Sequence, residues 1–203
     1  GTHDQSIYLQ VTRGVATKRD HAIPAGVAPT LFAMCTPIAP PPPAGIRAIT
    51  VEDIRWNRCD IKAITLLANV LLRQQALDTG AAEAILIRDG KVLEGAASNI
   101  MIVLGGTLVT PPKGAAILPG ITRDLVLELA AAQGVPTEER TIDLSELGQA
   151  SEIWMTSSTR EILPVIELDG KPVGEGKSGP LWAVLQSAYQ AYKQMLRESA
   201  RAG

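Results

Sequence analysis

The sequence predicts an α+β domain in which a mixed, largely antiparallel sheet is flanked by helices. Three observations lead to this prediction. Runs of alternating apolar and polar residues are typical of strands, Asp-Gly pairs at 89–90 and 169–170 favour tight hairpin turns, and longer runs with apolar residues three and four positions apart are typical of helices. With 203 residues, 46% of them hydrophobic, the chain can bury a substantial core.

The first part of the chain is expected to supply strands of the same sheet system. Residues 7–13 and 30–34 have strand character, and a basic loop at 17–21 lies between them. That loop is either an anion contact or a solvated turn. Four prolines at 40–43 predict an extended polyproline connection, because proline fixes φ and has no amide hydrogen.

The later elements alternate between strands and helices. Residues 46–51 predict a strand, and a helix is expected over 63–79 with Gly80 as its left-handed C-cap. The further predicted elements are, in chain order, strands at 83–87, 91–94, 100–103 and 108–109, a helix over 124–132, a strand at 152–155, a hairpin over 161–173 and a helix over 181–197.

Lys62 is the residue that fits this pattern least well. It stands between Ile61 and Ala63 at the entry to the first predicted helix, and lysine is seldom fully buried unless it is paired or used chemically. Burial would lower the pKa of its ammonium group and leave a nucleophilic amine that can react with a carbonyl. A stem that packs on an apolar face while the charged head reaches water explains the same local pattern. The local sequence leaves both interpretations open.

Bulk properties argue against several classes of function. A net charge of -2 gives no indication of nucleic acid or of an anionic membrane as the partner, and no apolar run approaches the roughly 18 residues that span a bilayer. Cys35, Cys59, His3 and His21 follow no familiar zinc-binding spacing, so no metal site is expected. Two cysteines without a pairing pattern favour a reducing cytoplasm.

Several separate features together indicate a pyridoxal phosphate site. This cofactor needs a lysine for covalent attachment, a carboxylate for its pyridine nitrogen, and donors at a helix N-terminus for its phosphate. The chain offers Lys62, Glu94, the helix entry at 118–123 and the hydroxyl cluster at 156–159. Taken singly, the last three also have ordinary explanations as a hairpin end, an N-cap and a turn.

The order and the residue sequences of these segments resemble those of the fold-type IV pyridoxal phosphate enzymes, and within that family most closely those of the aminotransferases of D-amino acids. The strings at 7–14, 52–62, 94–99 and 161–165 carry the resemblance, which covers nearly the whole chain. It implies that residues 51–203 form the large domain of that fold, a mixed, mainly antiparallel sheet or barrel with flanking helices. It further implies that residues 1–50 are lead-in strands with the proline-rich loop, and that the family's small N-terminal domain precedes this chain.

The same resemblance implies a role for individual residues. Lys62 corresponds to the Schiff-base lysine and proton shuttle, and Glu94 to the partner of the pyridine nitrogen. Arg19 and His21 match the pair that binds the substrate carboxylate, which in the family comes from the other subunit of a homodimer. The remaining cofactor contacts that it implies are Ser98, Leu118, Ile121, Thr122 and Ser158, while Ala97 replaces another hydroxyl of the family.

The function implied is transfer of an amino group between D-amino acids and 2-oxo acids. Branched-chain aminotransferases and aminodeoxychorismate lyases share the lysine and the glutamate, so they are the alternatives of the same fold. The loop at 18–21 favours the D-amino-acid interpretation. A catalytically silent fragment that folds and dimerises is the alternative from a different class.

Overall fold

The computed structural model describes residues 4–39, 42 and 44–202. The chain divides into two compact units between residues 40 and 41, whereas the sequence placed a boundary between 50 and 51. The difference arises because the strand at 46–52 pairs within the larger unit. The polyproline prediction falls mainly on residues 40, 41 and 43, which lie outside the described residues.

The first unit contains a two-stranded antiparallel ribbon. β1 (Gln5–Thr12) pairs with β2 (Thr30–Pro37) along its whole length. Across the ribbon Tyr8 meets Phe32 edge to face, with ring centroids 6.2 Å apart. Both predicted strands are therefore confirmed. The prediction that they join the same sheet as the rest of the chain is wrong, because they form a sheet of their own.

The described part of the second unit holds a ten-stranded mixed sheet that curls into a half-barrel. Its strands are β3 (Ile46–Glu52), β4 (Glu83–Arg88), β5 (Lys91–Gly95), β6 (Asn99–Leu104), β7 (Thr107–Thr110), β8 (Thr137–Glu139), β9 (Ile142–Asp143), β10 (Glu152–Ser157), β11 (Glu161–Leu168) and β12 (Lys171–Pro172). The order across the sheet is β8-β7-β6-β10-β11-β3-β4-β5-β9, and β12 pairs with β11. Only β3 with β4, β3 with β11 and β7 with β8 are parallel pairs among the described strands. The predicted α+β fold with a mainly antiparallel sheet is confirmed.

The helices of this unit are α1 (Leu67–Asp78), α2 (Ile121–Ala132), α3 (Leu144–Leu147) and α4 (Pro180–Ala202). α1 begins four residues later than predicted, so Lys62 lies in irregular chain before the helix and not at its entry. The short α3 was not predicted, although Asp143 and Glu146 form a complete capping box at its start. Among the helices of the described residues, none has both the length and the apolar character needed to cross a bilayer.

The sheet is covered on both faces, and β10 shows how the sequence produces this. Ile153 and Met155 enter one apolar core, while Trp154 between them enters the other, against α2 and α4. All three side chains are at most 1% exposed. Successive residues of a strand point to opposite faces, so a continuous apolar run is the expected sequence for a strand covered on both sides.

Glu152 fixes the start of α4 against this sheet. Its buried carboxylate accepts hydrogen bonds from the backbone N–H groups of Leu181 and Trp182, both at 2.9 Å, and from the indole N–H of Trp154 at 3.0 Å. A Cβ on Gly179 would lie 2.2 Å from the Glu152 carboxyl carbon, so only glycine allows this approach. One side chain therefore joins β10 to the N-terminus of α4.

Replacing Glu152 by alanine is expected to lower the free energy of unfolding by roughly 2–4 kcal/mol, because three buried donors lose their acceptor. Urea unfolding followed by tryptophan fluorescence measures the change. The matched control is Glu175→Ala, since Glu175 is exposed and its one ion pair among the described residues is with Lys177, and its unfolding midpoint should stay at the wild-type value. Equal losses in the two variants would contradict the anchoring role of Glu152.

Candidate functional site

The second unit has a buried carboxylate, Glu94 on β5, at the centre of the candidate site. Glu94 as a whole residue is 4% exposed. It accepts a hydrogen bond from Arg55 at 2.5 Å, one from the Asn99 side chain at 3.0 Å and one from the Leu118 backbone N–H at 3.1 Å. These donors lie in three different segments, so Glu94 brings together the chain after β3, the start of β6 and the entry to α2.

Asn99 and Gly120 set the approach of α2 to this carboxylate. The Asn99 amide also donates to the Leu118 carbonyl oxygen at 2.7 Å. A Cβ on Gly120 would lie 2.0 Å from the Asn99 side-chain oxygen, so only a glycine fits at the N-cap of α2. The predicted neighbourhood of Glu94, Leu118 and the helix entry is thus present in the structure.

The N-terminus of α2 has no side-chain cap, because its N-cap is Gly120. Its first amides therefore lack the usual side-chain acceptor, and a helix N-terminus of this kind favours an anion. Ile121 is 83% exposed. Thr122 is buried, and its side chain lies close enough to the Tyr189 side chain of α4 to affect the pKa of that phenol. Of the two predicted phosphate contacts here, one is open to solvent and the other is buried.

A series of ion pairs between largely buried side chains ends at Glu94. Arg55, which donates to Glu94, also donates from Nε to Asp53 at 2.9 Å. Asp53 in turn accepts from Arg88 at 2.7 Å. Burial alone would lower the pKa of Arg55, but its hydrogen bonds with Asp53 and Glu94 raise that pKa above its ordinary value. Arg55 is therefore a permanent cation next to Glu94.

Glu94 itself titrates near neutrality. Burial raises the pKa of its carboxyl group from 4.5 to about 7, while the hydrogen bond and charge of Arg55 and the Leu118 N–H act in the opposite direction. Its two protonation states are thus close in free energy at physiological pH. A small change in its surroundings would decide whether Glu94 accepts or donates a hydrogen bond.

Ser98 lies next to this site but is held by a second buried acid. Its hydroxyl donates to Glu83 at 3.0 Å, and Arg160 from the turn before β11 donates to the same carboxylate at 2.7 Å. The Glu83 side chain is completely buried. A hydroxyl has one proton to donate, so Ser98 offers a ligand only acceptor positions while this bond is kept.

Lys62 has a different environment from Glu94. It is exposed, and it has no hydrogen-bond or ion-pair partner in the part of the chain that the structure describes. Ile61 and Ile64 on either side are 45% and 66% exposed. The described residues of the second unit therefore do not bury Lys62.

The other predicted residues are also at the surface. Ser158 is exposed in the turn between β10 and β11. Arg19 and His21 are exposed in the loop of the first unit, where the Asp20 side chain accepts from the His21 backbone N–H at 2.6 Å. The structure thus joins Glu94, Leu118 and the start of α2 directly by contacts, and shows no such contact for Lys62 or Ser158.

Sequence reasoning missed Arg55, Asp53, Asn99 and Glu83. Arg55 and Asp53 belong to a stretch of alternating charges, which is more often a solvated surface, so their burial was not expected. A local clue existed for Asn99, because it follows directly on the Glu94 segment and begins the next strand. For Glu83 there was no clue, because its partners come from distant segments.

Comparison with known proteins gives consistent matches. The family model described as amino-transferase class IV matches residues 2–168. A D-alanine aminotransferase of Bacillus licheniformis is 43% identical over 201 residues, which are 98% of this chain and 70% of that protein.

Two solved structures extend this likeness to the fold. A branched-chain amino acid aminotransferase of Escherichia coli aligns with a TM-score of 0.76 and 32% identity, over 86% of this chain and 60% of its own. A protein of Mycobacterium tuberculosis described as a hypothetical aminotransferase, in its PLP-bound form, aligns with a TM-score of 0.80 and 25% identity, over 94% of this chain and 69% of its own.

The titration of Glu94 predicts a specific dependence of stability on pH. Because its pKa is raised on folding from 4.5 to about 7, its contribution to stability is complete below pH 4.5 and is lost as the pH rises through 7. The slope is at most about 1.4 kcal/mol per pH unit. Urea unfolding of the wild type and of Glu94→Gln across this range measures it, since the variant lacks the titrating group. A difference between the two that grows in favour of the wild type with rising pH would contradict the assignment.

Proposed function

Because the chain belongs to the class IV aminotransferase family, we propose that it acts in the transfer of amino groups between D-amino acids and 2-oxo acids, with pyridoxal phosphate as the cofactor. The observation that carries this proposal is the buried Glu94, held by Arg55 and Asn99 beside the uncapped start of α2. The Bacillus licheniformis relative, a D-alanine aminotransferase, supports the choice of D-amino acids.

The described residues fit this cofactor. An ionised carboxylate has about four acceptor positions, and three donors already reach Glu94, so one position is left for a protonated ring nitrogen. The free amides of Ile121 and Thr122 suit the phosphate, and the Leu118 side chain is proposed to pack against the ring. Ser98 and Ser158 are the remaining proposed contacts. The PLP-bound relative from Mycobacterium tuberculosis supports this assignment.

The chemistry divides between the cofactor and the protein. When bound, pyridoxal phosphate supplies an electron sink that stabilises negative charge at the substrate Cα. Glu94 holds the proton on the ring nitrogen by accepting its hydrogen bond. Lys62 would provide the amine that attaches the cofactor covalently and, once the substrate amine has displaced it, would act as the base that carries the proton lost from the substrate Cα.

Arg19 and His21 are proposed to bind the substrate carboxylate. A guanidinium matches a carboxylate through two parallel N–H groups, and an imidazole adds a third donor. The Asp20 side chain accepts from the backbone N–H groups of His21 and Ala22, which fixes the turn that carries the pair. We place this chemistry in the cytoplasm, in keeping with Cys35 and Cys59, which are both free thiols.

A homodimer is proposed as the working form. An apolar surface runs along the chain before α1 and along one side of that helix, and nothing among the described residues of the second unit covers it. Its members, with their exposed fractions, are Ile61 (45%), Ile64 (66%), Leu66 (49%), Leu67 (71%), Val70 (60%) and Leu71 (53%). Contiguous apolar patches of this kind mark interaction surfaces. A second copy seated here would also withdraw Lys62 from water, because Lys62 lies within the same stretch.

Lys62→Ala is expected to abolish transamination of D-alanine with 2-oxoglutarate, a loss of about 10⁴-fold or more in kcat, because the attacking amine and proton carrier are both removed. A coupled assay for the 2-oxo acid product measures it in the complete protein. The matched control is Lys177→Ala, since Lys177 is exposed and, in the part of the chain that the structure describes, forms an ion pair with Glu175 alone; its rate should equal that of the wild type.

The same assay separates the candidate activities. L-valine replaces D-alanine as the amino donor in the second arm, because the Escherichia coli branched-chain enzyme is a structural neighbour. A higher kcat/KM with L-valine would replace the D-amino-acid assignment by the branched-chain one. Absence of turnover with both donors in the complete protein would contradict an aminotransferase function.

Val70→Glu is expected to convert the dimer into monomers, because it places a charge in the apolar surface before and along α1. Sedimentation equilibrium measures the molecular mass. Val184→Glu is the matched control, since Val184 is an exposed valine on α4, 45% accessible, outside that surface. A monomeric wild type, or equal effects of the two substitutions, would overturn the proposed interface.

A further inference from the structure

Four side chains of alternating charge form a continuous series behind the candidate site. Arg88 Nη2 lies 2.7 Å from Asp53 Oδ2, Arg55 Nε lies 2.9 Å from Asp53 Oδ1, and Arg55 Nη1 lies 2.5 Å from Glu94 Oε1. The side chains of Asp53, Arg55 and Glu94 are at most 5% exposed, and that of Arg88 is 22% exposed. The series therefore runs from near the surface to the buried carboxylate.

The charge balance of this series depends on Glu94. With Glu94 ionised, two arginines face two carboxylates and the series is neutral. With Glu94 protonated, one buried positive charge has no counter-ion, which is costly in a medium of low dielectric constant. The arrangement thus favours the ionised form of Glu94, whereas burial by itself favours the protonated form.

We propose that Arg55 is a positioning residue that keeps Glu94 ionised and oriented toward the cofactor ring, and that Asp53, clamped by Arg88, holds Arg55 in place for this task. The proposal rests on the proposed function, because it concerns how Glu94 is prepared for the ring nitrogen. It assigns to Arg55 an action through Glu94 and not a contact with substrate.

Arg55 is the only cation among the described residues that hydrogen-bonds Glu94. The other donors are neutral, the Asn99 amide from β6 and the Leu118 N–H before α2. The nearby Asp53 carboxylate raises the pKa of Glu94, as burial does. The buried Cys59 thiol also lies in this field, and burial raises its pKa, so it stays neutral. Without Arg55, Glu94 loses the one cation among the described residues that hydrogen-bonds it.

Asp53 fixes the orientation of the Arg55 guanidinium group. Its two oxygens accept from Arg55 Nε at 2.9 Å and from Arg55 Nη2 at 3.1 Å, which is the bidentate geometry of an arginine and a carboxylate. This leaves Nη1 as the nitrogen that reaches Glu94. Asp53 also accepts from the Arg55 backbone N–H at 3.0 Å, so the residue is fixed at both its backbone and its guanidinium group.

The test uses the complete protein, with Arg55→Met to remove the charge and Arg55→Lys to keep it. The infrared C=O stretch of a protonated carboxyl group, measured at pH 8 without cofactor, reports the state of Glu94, and the double variant Arg55→Met with Glu94→Gln assigns the band to Glu94 by its absence. We expect this band in Arg55→Met and not in the wild type or in Arg55→Lys. A role of Arg55 in folding alone would not produce it.

The second readout is the dissociation constant of pyridoxal phosphate as a function of pH. At pH 7, Arg55→Met should bind roughly fivefold more weakly than the wild type, because a rise of one unit in the pKa of Glu94 lowers its ionised fraction from about one half to about one tenth. That deficit should shrink as the pH rises toward 9. Asp53→Asn should weaken binding without creating the infrared band, since the Arg55 charge remains while its orientation is lost. Arg58→Met is the matched control, because the Arg58 side chain is 58% exposed and, within the described ranges, forms an ion pair with Asp60 alone; its binding should match the wild type.

Each outcome decides between supporting and overturning the proposal. Wild-type affinity and no carboxyl band in Arg55→Met would overturn it, and so would the same deficit in Arg58→Met. Should Arg55→Met not fold, the double variant Asp53→Asn with Arg55→Met, which removes both buried charges, carries the same expected band. If the wild type binds no pyridoxal phosphate, the proposed function fails, while the infrared band still tests the action of Arg55 on Glu94.

Discussion

The burial of one carboxylate constrains the whole candidate site. A charge removed from water must be compensated by donors of the protein, and Glu94 obtains them from three separate segments. Each segment is thereby fixed: the chain after β3 by the Arg55 side chain, β6 by its first residue, and the entry to α2 by a backbone amide. The geometry of the site is a consequence of satisfying this one group.

A buried carboxylate also joins separate segments at two other places in the second unit. Glu152 joins β10 to the start of α4 through three N–H donors, and Glu83 joins the turn before β6 to the turn before β11 through Ser98 and Arg160. Buried acids are costly unless fully satisfied, so each of them specifies one arrangement of the segments around it. The loops near the site are held by such groups and not by apolar packing alone.

Features encoded locally could be predicted from the sequence. The hairpin at Asp89 and Gly90 follows from a dipeptide that tolerates positive φ, and both residues adopt it, while the runs of β10 and α4 follow from their periodicity. Arg55 and Asp53 could not be predicted as buried, because alternating charges are usually solvated and their burial depends on β4, β5 and the loop before α2. The setting of Lys62 was equally beyond local reasoning, since the apolar residues beside it are exposed here and do not enclose it.

The two reactive ends of the candidate site are therefore prepared in different ways. At Glu94 the described residues supply three donors and a counter-ion, so the protein itself holds this carboxylate in one position. At Lys62 the chain supplies an amine in an exposed apolar stretch and leaves its enclosure to another surface. The Glu94 end is complete among the described residues of the second unit, whereas the amine of Lys62 stands exposed there. Under the proposed dimer, a second copy seated on the apolar surface before and along α1 would withdraw that amine from water.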